Sequence, residues 1–378
     1  MHRHLPYLLA VVLCFTGSIV SARFAFPPGT SSSSSIQSNA IQIGLLIPDS
    51  TQTAVVESVR LAVDAANKTG GIEGTMLGLV SRSTEGPWGA GSKESVNLVY
   101  EDGVCAIIGA LDGRNGHLAE QVATKSHLAY LETVATESTL SQAFVPYFMR
   151  CIPNDDQQAR AIMDRVEKRG GETLAILSND QYDHLNAARS FVRIATMEKR
   201  DVPMIIDLAP PGLSMDQLVE KLRNNRVKQL VIPFRTTFTM KLLSTLRQEV
   251  PDMELYGTLG FIADLPSGDA AWMELEGLII LSTGYFSSPE GSEFQKEFTE
   301  KTGYSPSLSA AFTYDGTGML IEAIRRAGAD REGIKDALAS MEGYQGATGI
   351  ISFDEMGNRK GPLEMMRIKH GTPVVITE

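Results

Sequence analysis

Between Val104 and Ser138 an apolar run, a polar loop, an amphipathic stretch and a second apolar run follow one another without a break, and few folds tolerate that order. Val104, Ala106, Ile107 and Ile108 predict a buried strand, and Asp112, Gly113, Arg114 and Asn115 the loop after it. Leu118, Ala119 and Val122 give one face of a helix, Leu128 to Leu131 a second strand, and Glu132 to Ser138 a second loop. In doubly wound sheets the loops at the carboxyl ends of parallel strands are where ligands bind. Two such loops, close in sequence and rich in hydrogen-bonding groups, point to a small-molecule site.

The same alternation runs through the rest of the chain. Strand Ile41–Ile47 precedes a helix carrying Val55, Val59, Ala62, Val63 and Ala66 at helical spacing, stopped by Gly70 and Gly71. Leu77–Val80 and a helix near 92–102 follow. After the strand 147–151, Asp155 and Asp156 favour the positive end of another helix. Further strands are expected at 173–177, 204–208, 229–233, 255–256 and 277–281. The helices among and after them lie near 184–197, 237–249, 292–301, 312–327 and 331–341, with Ser214 and Gln217 forming a capping box. Strands alternating with helices throughout define an α/β protein with parallel sheets.

The amino terminus has the pattern of a secretory leader. Arg3 is followed by an apolar core from Leu8 to Phe15 and small residues up to Ala22, so residues 1–22 are expected to be removed. Leu13 before Cys14 is wrong for lipidation, and the apolar core is shorter than the roughly 20 residues a spanning helix needs. Residues 23–40, with Pro27, Pro28 and a serine run, form an expected flexible linker. About 340 residues remain, enough for two lobes. Losing Arg3 takes the net charge from −11 to −12, which argues against nucleic acid and anionic membrane surfaces as partners. Of the three cysteines only Cys105 and Cys151 stay; two buried thiols are expected, a single bridge being the alternative.

Enzyme chemistry finds no support. There is no G-x-G-x-x-G after the first strand, no phosphate-cradling loop and no G-x-S-x-G elbow, and His117, His127, His184 and His370 lack metal-ligand spacing. Neither a cofactor nor a metal is expected. Asp354–Lys360 lacks the ligand order of a calcium loop, and Gly357 is expected to make a turn.

The opening IQIGLLIP, the NKTGGIEG turn, VCAIIGA, YFMRCIPNDDQQARAI, AAFTYDGTGMLIEAIRRAG and the closing FDEMGNRKGPLEMMRI, in that order, resemble the type I periplasmic solute-binding proteins, the leucine/isoleucine/valine-binding family of ABC importers. The resemblance implies two Rossmann-like lobes joined by three hinge crossings, lobe 1 being 41–152 plus 283–349 and lobe 2 being 153–282 plus 350–378. It further implies a periplasmic or secreted, monomeric receptor that traps a small molecule by hinge closure and hands it to a membrane permease. The alternative is a sensory protein of the same fold reporting to a signalling partner.

Carried over residue by residue, the resemblance implies that the loop after the fourth strand offers the ligand a backbone carbonyl and a threonine, Thr136, with Ala135 beside it, and the loop after the third a serine for the ligand carboxylate. The family's serine falls at Gly113 or Arg114, next to Asp112, so a guanidinium replaces a hydroxyl and suits an oxyanion. Tyr182 matches a ligand-facing tyrosine. Phe234 and Arg235 end a strand near the cleft. Leu259 stands where the family has the acid that grips an α-ammonium, which argues against a branched-chain amino acid, although Glu132 offers a replacement counter-charge. Trp88, in a long loop, offers a ring to wall an apolar body. The expected ligand has an anionic head and a partly apolar body.

Overall fold

The computed structural model describes residues 40–87, 89–142, 145–209 and 212–377. The expected leader, residues 23–39 of the expected linker and Trp88 lie outside the described residues.

The first half of the chain forms β1 (Ile41–Ile47), α1 (Thr53–Lys68), β2 (Leu77–Ser83), α2 (Ala90–Tyr100), β3 (Ala106–Gly109), α3 (Gly113–Lys125), β4 (Ala129–Glu132), a 3-10 turn (Ser138–Ser141) and β5 (Phe148–Arg150). Then follow α4 (Asp155–Lys168), β6 (Leu174–Ser178), α5 (Tyr182–Glu198), β7 (Met204–Asp207), α6 (Met215–Asn224), β8 (Gln229–Ile232), α7 (Thr237–Glu249) and β9 (Glu254–Gly257). The last part comprises two short helices, α8 (Leu259–Ile262) and α9 (Ala271–Glu274), then β10 (Ile279–Ser282), α10 (Pro289–Thr302), α11 (Leu308–Ala327) and α12 (Arg331–Ala339). Four strands close the chain: β11 (Tyr344–Gly346), β12 (Gly349–Ile351), β13 (Glu364–Lys369) and β14 (Thr372–Val375).

Two main sheets result, one for each lobe. The smaller has the order β2-β1-β3-β4-β5 and is parallel throughout. The larger runs β14-β13-β10-β9-β8-β6-β7; strands β6 to β10 are parallel, while β13 and β14 add an antiparallel hairpin on one edge. That hairpin departs from the all-parallel expectation. Central strands such as β3, β4, β6 and β8 are buried at every position, as sheets covered by helices on both faces require.

Two boundaries differ from the sequence reading in ways that matter for the cleft. Gly113, Arg114 and Asn115 belong to the first turn of α3, not to a loop, because the Asp112 side chain accepts the Asn115 N–H and caps the helix there. Glu132 is the last residue of β4 rather than the first of a loop. Its buried carboxylate can stay in the sheet because Tyr130 Oη and the N–H groups of Thr133, Val134 and Ala135 all donate to it. The capping box at Ser214 and Gln217 forms, as does the helix over Thr237–Glu249. Gly357 makes the expected turn at a φ of 75°. Cys105 and Cys151 are buried free thiols, and burial pushes the Cys105 pKa up to about 12.

The chain passes between the sheets after β5, after β10 and before β13. One buried guanidinium joins the first and last of these passages: Arg359 donates to the carbonyls of Cys151, Thr348 and Ile350 and to Thr348 Oγ1. Helix α11 belongs to both cores. Leu308, Ala311 and Phe312 pack with the larger sheet, and Met319, Leu320 and Ile324 with the smaller.

Candidate functional site

The carboxyl ends of both sheets meet at a cavity of about 230 Å³. From the smaller sheet it is lined by Pro48 and Gln52 after β1, Ala110 to Asp112 after β3, and Val134 to Thr136 after β4. Asp155, Asp183, His184, Pro233, Thr258 and Asp264 come from α4 and from the segments that follow β6, β8 and β9. Every lining group sits past the carboxyl end of a parallel strand, where this architecture exposes loop backbone and helix starts.

Of the residues expected from sequence, Asp112, Ala135 and Thr136 line this cavity. Gly113 stands at its edge, and its N–H donates to both oxygens of Asp183, at 3.1 and 3.2 Å. Arg114 is exposed, with its guanidinium 5.3 Å from the centre of the Tyr182 ring, so the pair packs together outside the lining. Glu132 is fully buried behind the wall. Phe234 is buried and stacks on His184 at 4.2 Å, so it supports a lining ring instead of lining the cavity itself. Arg235 is exposed. Leu259 is completely buried in the core of the larger sheet, and its N–H donates to Gln158 Oε1.

Sequence reasoning missed three of the four acids that line the cavity, Asp155, Asp183 and Asp264. Asp155 is 4 % exposed, and burial holds its carboxyl well above the usual range, with the charge of Asp183 adding to the effect. Asp183 is pushed up to about 6, mainly by burial, although the Gly113 N–H pulls the other way. Asp264 accepts from Ser309 Oγ at 3.1 Å. His184 is held below its ordinary pKa by burial, and its Nδ1 lies 3.0 Å from Asn179 Oδ1. It is therefore neutral at pH 7. The signals were present in the sequence as the first-turn acids of α4 and the acid after Tyr182, but there they look like ordinary helix-start charges.

Among the described residues no cluster of His, Cys, Asp and Glu is arranged to hold a metal, and no helix is long and apolar enough to cross a membrane. A cleft between two lobes that draws its lining from both is the geometry of a binding protein.

Residues 40–373 match the family model described as periplasmic binding protein, and the chain belongs to that family. Among solved structures it is similar to an ABC transporter substrate-binding protein from Desulfitobacterium hafniense in complex with Leu, at 21% identity and a TM-score of 0.74, covering 89% of this chain and 100% of that one. It is also similar to a solute-binding protein of an ABC transporter from R. palustris in complex with benzoate, at 16% identity and a TM-score of 0.73, covering 89% and 95%. Both likenesses establish the fold. Glutamate receptor 3.1 of Oryza sativa subsp. japonica is 23% identical over 93% of this chain and 42% of its own length. The chain spans less than half the length of the curated relatives it matches.

Proposed function

We propose that this protein is the extracytoplasmic solute receptor of an ABC importer: it traps a small molecule between its lobes and presents it to a membrane permease, without chemical conversion. The observation that carries this reading is the cavity at the carboxyl ends of both sheets, lined from both lobes. A solute there touches both lobes only when they are closed, so binding and closure are linked. In this reading lobe 1 comprises 41–152 plus 283–349 and lobe 2 comprises 153–282 plus 350–378, and the crossings near Pro153, Ser282 and Ile350 act as the hinge. The working form is a monomer released from its leader after Ala22.

The test is small-angle scattering of the mature protein with a panel of amines, amino acids and carboxylates. A 1:1 solute that lowers the radius of gyration supports the reading; turnover of the bound solute overturns it. Uptake of that solute by cells, lost on deletion of the gene and restored by its return, separates delivery to a permease from a sensory output.

A further inference from the structure

The cavity lining holds four carboxylates, Asp112, Asp155, Asp183 and Asp264, together with neutral His184, and neither lysine nor arginine. Three of the four have donors: Asp112 takes Asn115 N and Nδ2, Asp183 takes Gly113 N, and Asp264 takes Ser309 Oγ. Asp155 differs in one oxygen. It is 4 % exposed, and the Thr136 side chain hydrogen-bonds its carboxyl, but Oδ2 accepts no hydrogen bond. The nearest buried cation, Arg150, moderates its charge but spends its terminal nitrogens on the carbonyls of Ala135 and Glu137 and on Ser141 Oγ. An acid in the first turn of a helix is favoured by the helix dipole, yet that alone does not account for a buried oxygen without a donor. In a binding site the missing donor is the ligand's.

The wall that would hold an anion has its donors already engaged. The N–H groups of Leu111, Thr133, Val134 and Ala135 donate to Glu132, that of Asn115 to Asp112, and that of Gly113 to Asp183. Asp183 is on α5, in the lobe opposite Gly113, so the chain's own carboxylate sits at the start of α3 where a solute carboxylate would bind. With neither lysine nor arginine in the lining, an anionic solute meets acids and no counter-charge, whereas an ammonium supplies the charge that holds Asp155 ionised. A metal ion is disfavoured by the lack, among the described residues, of any cluster that would ligate one.

Building on the receptor reading, we propose that the cleft selects an organic ammonium without a carboxylate, an aliphatic mono- or diamine, whose nitrogen donates to Asp155 Oδ2. This replaces the anionic head expected from Arg114, which lies outside the lining.

Calorimetry at constant ionic strength tests it, using putrescine, cadaverine and isoamylamine against isovalerate and glutarate and against leucine and 5-aminovalerate. At least one amine is expected to bind 1:1, the carboxylates not at all, and Asp155→Asn to weaken the amine at least tenfold while the Tm of the ligand-free protein stays level or rises. A merely structural acid would lower that Tm. Asp183→Ala, which frees the Gly113 N–H, is expected to raise affinity for 5-aminovalerate, a gain that misfolding cannot mimic. Absence of binding by every amine overturns the proposal, and so does a carboxylate that binds the wild type and is indifferent to Asp155→Asn. The receptor reading falls separately, when no solute of any charge compacts the protein.

Discussion

At the scale of single residues, the cleft is decided by where each charge finds its partner. Arg114 is exposed and packs over the Tyr182 ring, a contact worth about 0.5–1 kcal/mol at an exposed site. Arg114→Ala is therefore expected to change solute affinity no more than about fivefold, the ratio that energy allows; a larger loss in calorimetry would return it to the site. His117 is a different case. Its Nδ1 lies 3.6 Å from Glu120 and its Nε2 3.1 Å from Glu137, and these carboxylates raise its pKa to about 9. Because the folded value lies above the ordinary 6.5, the stabilisation is complete below pH 6.5 and is lost as pH rises through about 9. Thermal melts of wild type and His117→Gln should differ at pH 6 and converge above pH 9. A constant gap across that range would show that His117 does not carry the charge.

At the scale of elements, the sequence was most legible where one rule acted alone. Helical spacing of Val55, Val59, Ala62 and Val63 marked α1, and Ser214 with Gln217 marked the start of α6, because those signals are local. The start of α3 was misplaced because Gly113 and Asn115 are turn-forming residues, and only the Asp112 cap makes them helical. The hairpin of β13 and β14 was missed since its strands lack strict apolar alternation in sequence, with Met365 and Met366 adjacent and β14 mostly exposed. The cleft acids were missed for a further reason. Whether Asp155 merely favours the start of α4, which Asn154 caps, or faces a ligand depends on Asp183 and Gly113, distant in sequence and brought together only by the meeting of two lobes. The cap itself is testable. Asp112→Ala should cost about 1 kcal/mol in urea unfolding, the usual worth of an N-cap; an unchanged midpoint would mean that Asn115 finds another acceptor.

At the scale of the molecule, the proposed closure would pivot on the crossings, and the backbones of two of them are in direct contact. Gly349 has a φ of 93°, and a Cβ there would stand 2.1 Å from the Thr283 carbonyl oxygen; at Gly284 one would stand 3.2 Å from Gly349 Cα. The crossing after β10 thus lies against the one at β12, a spacing that no side chain but hydrogen allows. Arg359 links the latter to Cys151 just past β5, and Asp315 of α11 takes the N–H groups of Ala347 and Thr348, tying the same segment to a helix embedded in both cores. Gly349→Ala therefore adds a backbone collision to the left-handed strain of about 1–3 kcal/mol. Gly343 supplies the control, for it too has a positive φ, of 67°, but open space where its Cβ would go. Gly343→Ala should lose only the strain, whereas Gly349→Ala should lower the Tm further and reduce the change in radius of gyration on solute binding, because crossings pushed apart no longer pivot together. Equal melting temperatures and equal compaction for the two variants would show that backbone contact between the crossings has no part in the hinge.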